Sequence, residues 1–233
     1  MLARLKGLAA DQVIGMRVVL SDGKLVRANA QENADLFWAL RGGNAGSFGV
    51  VTEYTINTFK TPVVTMFKIQ YTPSPENIVN VIKTWMSTYY TIDKRLTCQL
   101  QIDKNDISLK GQFTGPMADA VKVLTESKML DTATLQIEST PVVTDKCSLV
   151  GIKKFIATGS CGPDAVADAN VVVVPVHNTN KDYGKYKAEY FSGPIPTEGL
   201  QAIVNQVMNS PNGAWIQFEV LGMILTIVIE CSH

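Results

Sequence analysis

The sequence predicts an α+β protein, on three observations. Two β-branched runs flank an Asp-Gly turn, a strong hairpin signal. A helix-spaced run, a glycine-rich loop and an alternating run follow. Beyond Pro62, further hairpins alternate with amphipathic helical segments, the pattern of helices packed on one face of an antiparallel sheet.

In order, Gln12 to Ala28 reads as strand, turn and strand, with Ser21-Asp22-Gly23-Lys24 at the turn. Asn33 is placed to cap a helix over Ala34 to Leu40, where Leu36, Phe37 and Leu40 fall at helical spacing. Arg41-Gly42-Gly43 ends that helix. The run VVTEYTINTF then reads as a strand closed by Thr61-Pro62. The boundary between the two parts is expected near residues 60 to 63, with domains at 1–62 and 63–233.

In the second part Val63 to Tyr71 reads as a strand, and Pro75 opens a helix that runs to Tyr90. Arg95 to Ile102 and Ile107 to Phe113 read as strands around a Lys104-Asn105-Asp106 turn. A helix over Met117 to Met129, a strand over Ala133 to Ser139, a helix over Pro196 to Met208 and a strand over Trp215 to Val220 complete the reading. Residues 140 to 195 are the least legible, and VVVVPV at 171 to 176 fits a buried strand only with Pro175 at its end.

The 233 residues are 46% hydrophobic and 18% charged, enough for one large domain or two small ones. Twenty-one basic residues offset twenty-one acidic ones, so no excess positive field points to nucleic acid as a partner. No uncharged apolar run approaches the ~20 residues that span a bilayer, and the first residues lack the apolar stretch of a signal peptide. Four widely spaced cysteines without a CxxC pair, and only two histidines, argue against a zinc site. Cys147 with Cys161 as a short-loop disulfide, and buried reduced thiols, are both open readings.

The loop Arg41 to Gly49 carries four glycines, Gly42, Gly43, Gly46 and Gly49. It is neither a P-loop nor a dinucleotide fingerprint, because it follows a helix and opens a strand. By composition it reads as a helix end and tight turn.

The segments LKGLAADQVIGMRVVLSDGKLV and DLFWALRGGNAGSFGVVTEYTINTF closely resemble the second part of the flavin-binding domain in FAD-linked oxidases. The family is that of vanillyl-alcohol oxidase and the berberine-bridge enzymes, with a PCMH-type FAD-binding domain. The similarity is marked toward fungal oligosaccharide oxidases. It is dense over about residues 3 to 60, and looser through KYKAEYFSGPIPTEGLQAIV and WIQFEVLG. It implies FAD as cofactor, held between a flavin domain and a substrate domain, with backbone of Gly7, Leu8 and Asp11 and of Gly49, Val50 and Val51 against the cofactor. The side chains of Val50 and Val51 are expected to pack inward.

In the second part, Gln99 and Gln101 share one face of a strand, and Trp215, Gln217 and Glu219 share one face of another. Amides bind hydroxyls in both directions and an indole stacks on a sugar ring, so these positions suit a saccharide. A solvent-facing polar stripe is the plainer reading. The resemblance favours the substrate site, with a sugar or other alcohol as substrate and molecular oxygen as acceptor.

Members of the family carry, ahead of the matching segment, a lobe with a glycine-rich pyrophosphate loop and a histidine that tethers the flavin. Near its end the family continues toward a tyrosine that serves as base. By that comparison the chain reads as incomplete at both ends, with weak flavin binding expected and the base unassigned among Tyr71, Tyr89, Tyr90 and Tyr190. The closing MILTIVIECSH reads as a divergent, aggregation-prone run. The resemblance thus implies an FAD-dependent oxidase of a sugar or alcohol hydroxyl. The alternative is an inactive relative that binds carbohydrate or a partner.

Overall fold

The computed structural model describes residues 2–43, 45–60, 62–89, 91–144, 184–191, 193–210, 214–221 and 224–232. The expectations for VVVVPV, for Cys147 and Cys161 and for Tyr90 lie outside the described residues. The chain forms two compact units, Leu2–Thr61 and Pro62–His233.

In the first unit, a short helix α1 (Ala3–Lys6) and a 3-10 turn (Ala9–Gln12) lead into strand β1 (Val13–Val19). Gly23 adopts the left-handed φ of 81° that the turn requires, and the chain returns as β2 (Leu25–Asn29), with Val18 opposite Val26. β3 (Val50–Ile56) pairs antiparallel on the other side of β1, in the order β2-β1-β3. Helix α2 (Ala34–Leu40) buries Phe37 and Leu40 against Val13, Met16, Val18 and Ala28. Asn33 is not the side-chain cap expected. It sits at φ 50°, and its Nδ2 donates to the Arg27 carbonyl at 2.6 Å. Asparagine tolerates that backbone region, and its amide ties the helix start to the end of β2.

The second unit contains a seven-stranded antiparallel sheet in the order β7-β4-β6-β5-β9-β10-β8. Its strands are β4 (Val64–Tyr71), β5 (Leu96–Asp103), β6 (Ile107–Thr114), β7 (Val142–Thr144), β8 (Gly184–Phe191), β9 (Ala214–Leu221) and β10 (Ile224–Ser232). Strand side chains alternate between faces, so β5 buries Leu96, Cys98, Leu100 and Ile102 and leaves Thr97, Gln99 and Gln101 half-buried on the other side. The apolar face is covered by α3 (Pro75–Tyr89), α4 (Met117–Glu126) and α5 (Thr197–Met208). Trp85 of α3 stacks on Tyr89 with ring centroids 5.3 Å apart, and meets Phe218 of β9 edge-on at 5.7 Å.

Three expectations change here. Ala133 to Ser139 is not a strand. Asp131 Oδ1 accepts the Ala133 amide at 3.0 Å and holds a turn there, leaving a single bridge between Ile137 and Tyr71. Helix α4 stops at Glu126 rather than Met129, because the chain turns at Lys128, whose φ is 61°. The closing residues are not a stray tail: Ile224–Ser232 is a strand between β9 and β8, with Ile227 opposite Phe218 and Glu189. An aggregation-prone pattern and an internal strand have the same composition, and pairing on both edges separates them.

Candidate functional site

The first unit carries a cleft of about 450 Å³. Gly7 lies two residues ahead of its first lining residue, Ala9; its φ is 79°, and an added Cβ there would lie 2.8 Å from Asp11 Oδ2. That carboxylate accepts the Leu8 amide at 2.8 Å, which winds the 3-10 turn and sets Ala9 and Ala10 into the cleft. Gly7, Leu8 and Asp11 do not line the cleft; they hold the turn that carries Ala9 and Ala10 into it. Val13, Met16, Leu40, Arg41, Gly42, Tyr54 and Ile56 complete it.

Arg41 was not among the expected site residues. Its guanidinium lies over the Phe37 ring at 4.5 Å, and its buried Nε has no hydrogen-bond partner among the described residues. Beside it, Gly42 has open space where a Cβ would stand. An unmatched cationic donor, apolar walls and an open glycine suit a ligand that joins an anionic group to a flat ring. The signal in the sequence is the arginine before the glycine pair, which by composition alone reads as a helix end.

Gly49, Val50 and Val51 lie at the opposite end of β1, since Val19 pairs with Val50 and Val13 with Ile56. A ligand that touched both groups would run the length of that strand, about 20 Å at the usual rise per residue. A Cβ on Gly49 would approach the Val19 carbonyl to 2.7 Å, so only glycine lets the loop cross so close. Val51 packs on the small core. Val50 is 67% exposed, contrary to the inward packing expected. Neighbouring residues of a strand face opposite ways, so with Val51 on the covered face Val50 is turned away from it.

The second unit brings the polar positions of β5 and β9 together. Gln99 stands opposite Glu219, Gln101 opposite Gln217, and Asp103 opposite Trp215. Gln99 Nε2 donates to Gln217 Oε1 at 2.5 Å across the strands. Trp215, Gln101 and Gln217 are all half-buried. Of Glu219 only the register position is described. The same face continues onto β6 and β4 with Ser108, Lys110, Lys68 and Gln70, residues the sequence reading missed although they alternate as strictly as the glutamines. Asp106 accepts from Ser108 Oγ at 2.9 Å and from Gln70 Nε2. Burial pushes the Lys110 ammonium below the usual lysine range and Lys68 adds to this, while Asp106 and Asp103 act in the opposite direction.

The chain is similar to known proteins both in sequence and in structure. Glucooligosaccharide oxidase of Sarocladium strictum is 38% identical over 122 residues, covering 51% of this chain and 24% of that protein. Monolignol oxidoreductase AtBBE-like 13 of Arabidopsis thaliana is 27% identical over 232 residues, covering 90% of this chain and 39% of its own length. A solved chitooligosaccharide oxidase superposes with a TM-score of 0.75 at 24% identity, over 100% of this chain and 52% of that one. No protein-family model matches. The chain is homologous to the FAD-linked oxidoreductases of the berberine-bridge-enzyme-like and oligosaccharide oxidase class. It spans about half the length of the solved structures it matches, and less of its relatives by sequence.

FAD is the cofactor of this class of oxidoreductases. The cleft lined by Arg41 has the chemistry of an anion site, because the buried Nε, unmatched among the described residues, and the open glycine next to it are complementary to a phosphate-bearing ligand. Among the tyrosines, Tyr71 is unsuited to act as a base. It is fully buried, its hydroxyl donates to the Met129 carbonyl at 3.0 Å, and burial drives its pKa upward. Tyr89 is packed in the helix-side core against Trp85. Tyr190 lies in β8 at a register position opposite Thr226.

Proposed function

We propose that the chain contributes cofactor-binding and substrate-facing surfaces to an FAD-dependent oxidase acting on a hydroxyl of a small saccharide. One observation carries the reading: the paired amides of Gln99 and Gln217 share a sheet face with Gln101 and Trp215. Hydroxyls present donors and acceptors together, which amides match, and the indole covers the apolar side of a sugar ring. A relative named as a glucooligosaccharide oxidase supports this substrate class.

In this reading Arg41 and the backbone at Gly42 hold the anionic part of FAD, and Gly49 to Val51 offer main-chain groups to another part of it. When bound, FAD supplies the two-electron acceptor for the hydride leaving the carbinol carbon, with molecular oxygen as the final oxidant. The chain's own residues orient the hydroxyl: Gln101 and the Gln99–Gln217 pair fix the ring by hydrogen bonds, and Trp215 limits its tilt.

The test is the visible absorption spectrum of the purified chain after FAD addition and gel filtration, followed by peroxide release with cello- and chito-oligosaccharides. Retained flavin that is lost in Arg41→Ala, and saccharide-dependent peroxide that falls in Gln217→Ala, are the expected results. A folded chain that takes up no flavin yet binds saccharide would replace this reading with that of a carbohydrate-binding relative.

A further inference from the structure

The outer face of the three-stranded sheet carries a second cavity, of about 410 Å³, that the flavin and saccharide readings leave unused. Met16 and Val18 of β1 belong to the core that α2 covers, so by alternation Arg17 stands on the opposite face. Arg27 of β2 is directly across from Arg17, and both line the cavity. Like charges in that register, with Cβ atoms roughly 5 Å apart, oppose the pairing of their strands. Glu53 of β3 flanks Arg17 on its other side, but its Oε2 approaches Arg17 Nη1 only to 3.6 Å, outside hydrogen-bond range. Among the described residues Arg27 has no ion pair, and neither guanidinium makes a hydrogen bond.

The rest of the cavity adds polar groups suited to the same kind of ligand. Asn29 Oδ1 accepts the amides of Gln31 and Glu32 at 2.8 and 2.9 Å, which fixes the carboxamide and leaves its Nδ2 as the group open to a ligand. Thr55 contributes a hydroxyl. Gly15 lies between these two, paired with Asn29 on one side and with Thr55 on the other. Because Gly15 has no side chain, the arginine row and the Asn29–Thr55 row border one hollow rather than two.

We propose that this cavity binds the phosphate monoester of a small molecule, at a site separate from the Arg41 cleft. Arg17 and Arg27 hold the phosphate, and Asn29 and Thr55 reach the group esterified to it. Two guanidinium forks present more N–H donors than the two oxygens of a carboxylate can occupy, whereas a phosphate monoester offers three terminal oxygens and about two negative charges. Glu53 can balance one arginine and not both. A bound dianion removes the like-charge opposition across β1 and β2.

The experiment is an amide NMR titration of the full chain with inorganic phosphate, with glycerol 3-phosphate, and with acetate and chloride at matched ionic strength. Both phosphates are expected to give saturable shifts at Gly15, Arg17, Arg27 and Thr55, with glycerol 3-phosphate also moving Asn29. Acetate should bind roughly tenfold more weakly, and chloride should not saturate. Arg17→Gln and Arg27→Gln should each weaken phosphate binding roughly tenfold, while Arg41→Ala should leave these shifts in place. Circular dichroism checks that each variant is folded, and the comparison of anions on the unmodified chain decides even where one is not. Shifts that grow linearly with every salt, equal affinities for phosphate and acetate, or a phosphate affinity unchanged in both glutamine variants would overturn the proposal. Loss of the phosphate shifts in folded Arg41→Ala would assign the anion to the cleft and overturn it as well.

Discussion

The two units differ in how completely they bury themselves. In Pro62–His233, three helices cover one face of a broad sheet, and Trp85, Phe67, Phe113 and Phe218 are at most 2% exposed. In Leu2–Thr61 one seven-residue helix covers part of a three-stranded sheet. There Trp38 is 76% exposed, Val50 67% and Leu8 56%. A unit of that size buries a smaller share of its own surface than a larger one does. The contrast teaches where the chain keeps most of its buried core. The glycine-shaped cleft belongs to the weakly buried unit, and the amide face rests on the strongly buried one.

Paired core truncations give the largest effect and can break this comparison. Trp85→Ala should cost about 3–5 kcal/mol in chemical unfolding followed by fluorescence and circular dichroism. Phe37→Ala removes a main contributor to the small core and should abolish amide exchange protection in β1 to β3 while leaving β4 to β6 protected. Loss of protection in both units from Phe37→Ala would mean that they fold as one. Gly49→Ala should cost roughly 1–3 kcal/mol, since the residue has φ of 137° and no room for a Cβ beside the Val19 carbonyl. The loss is expected in the exchange of β1 and β3.

A smaller effect sharpens the view of the large core. The Tyr71 phenol titrates higher in the folded chain than in the unfolded one, so its contribution is full below the unfolded value near 10 and is lost as pH rises beyond it. Tyr71→Phe should lower stability by about 1 kcal/mol at neutral pH through the lost hydrogen bond to Met129. It should also flatten the alkaline decline, measured as unfolding midpoints from pH 7 to 11. Val50→Thr should change stability by less than about 0.5 kcal/mol, because the side chain is exposed. A larger loss in unfolding titrations would show that Val50 supports the fold rather than a binding surface.

Much of the fold was legible in local pattern. The Asp22-Gly23 turn, the breaker-free run Ala34–Leu40 and the strict alternation of Leu96 to Ile102 each specify an element from neighbouring residues alone. Ala133 to Ser139 misled because its β-branched composition is overridden by Asp131, which closes a turn. The closing strand misled for the opposite reason. Its apolar run becomes a sheet member only once β8 and β9 lie on both sides of it, and β8 itself falls in the least legible stretch.

For the candidate site, the sequence by itself determined the types of chemistry present: glycines where backbone must come close, amides and an indole in alternating register, and a tyrosine pattern without a marked base. It also determined the kinship with FAD-linked oxidoreductases, because long ordered stretches of residues carry that information without folding. Only the tertiary structure decided which of these meet. It set Gly7 and Gly49 near opposite ends of β1, left Arg41 Nε in a cleft without a partner among the described residues, and aligned Lys68 with Lys110 beside Gln99. The physical reason is that strand faces and turn geometry are local properties, whereas strand order and register are settled by which apolar faces bury against each other.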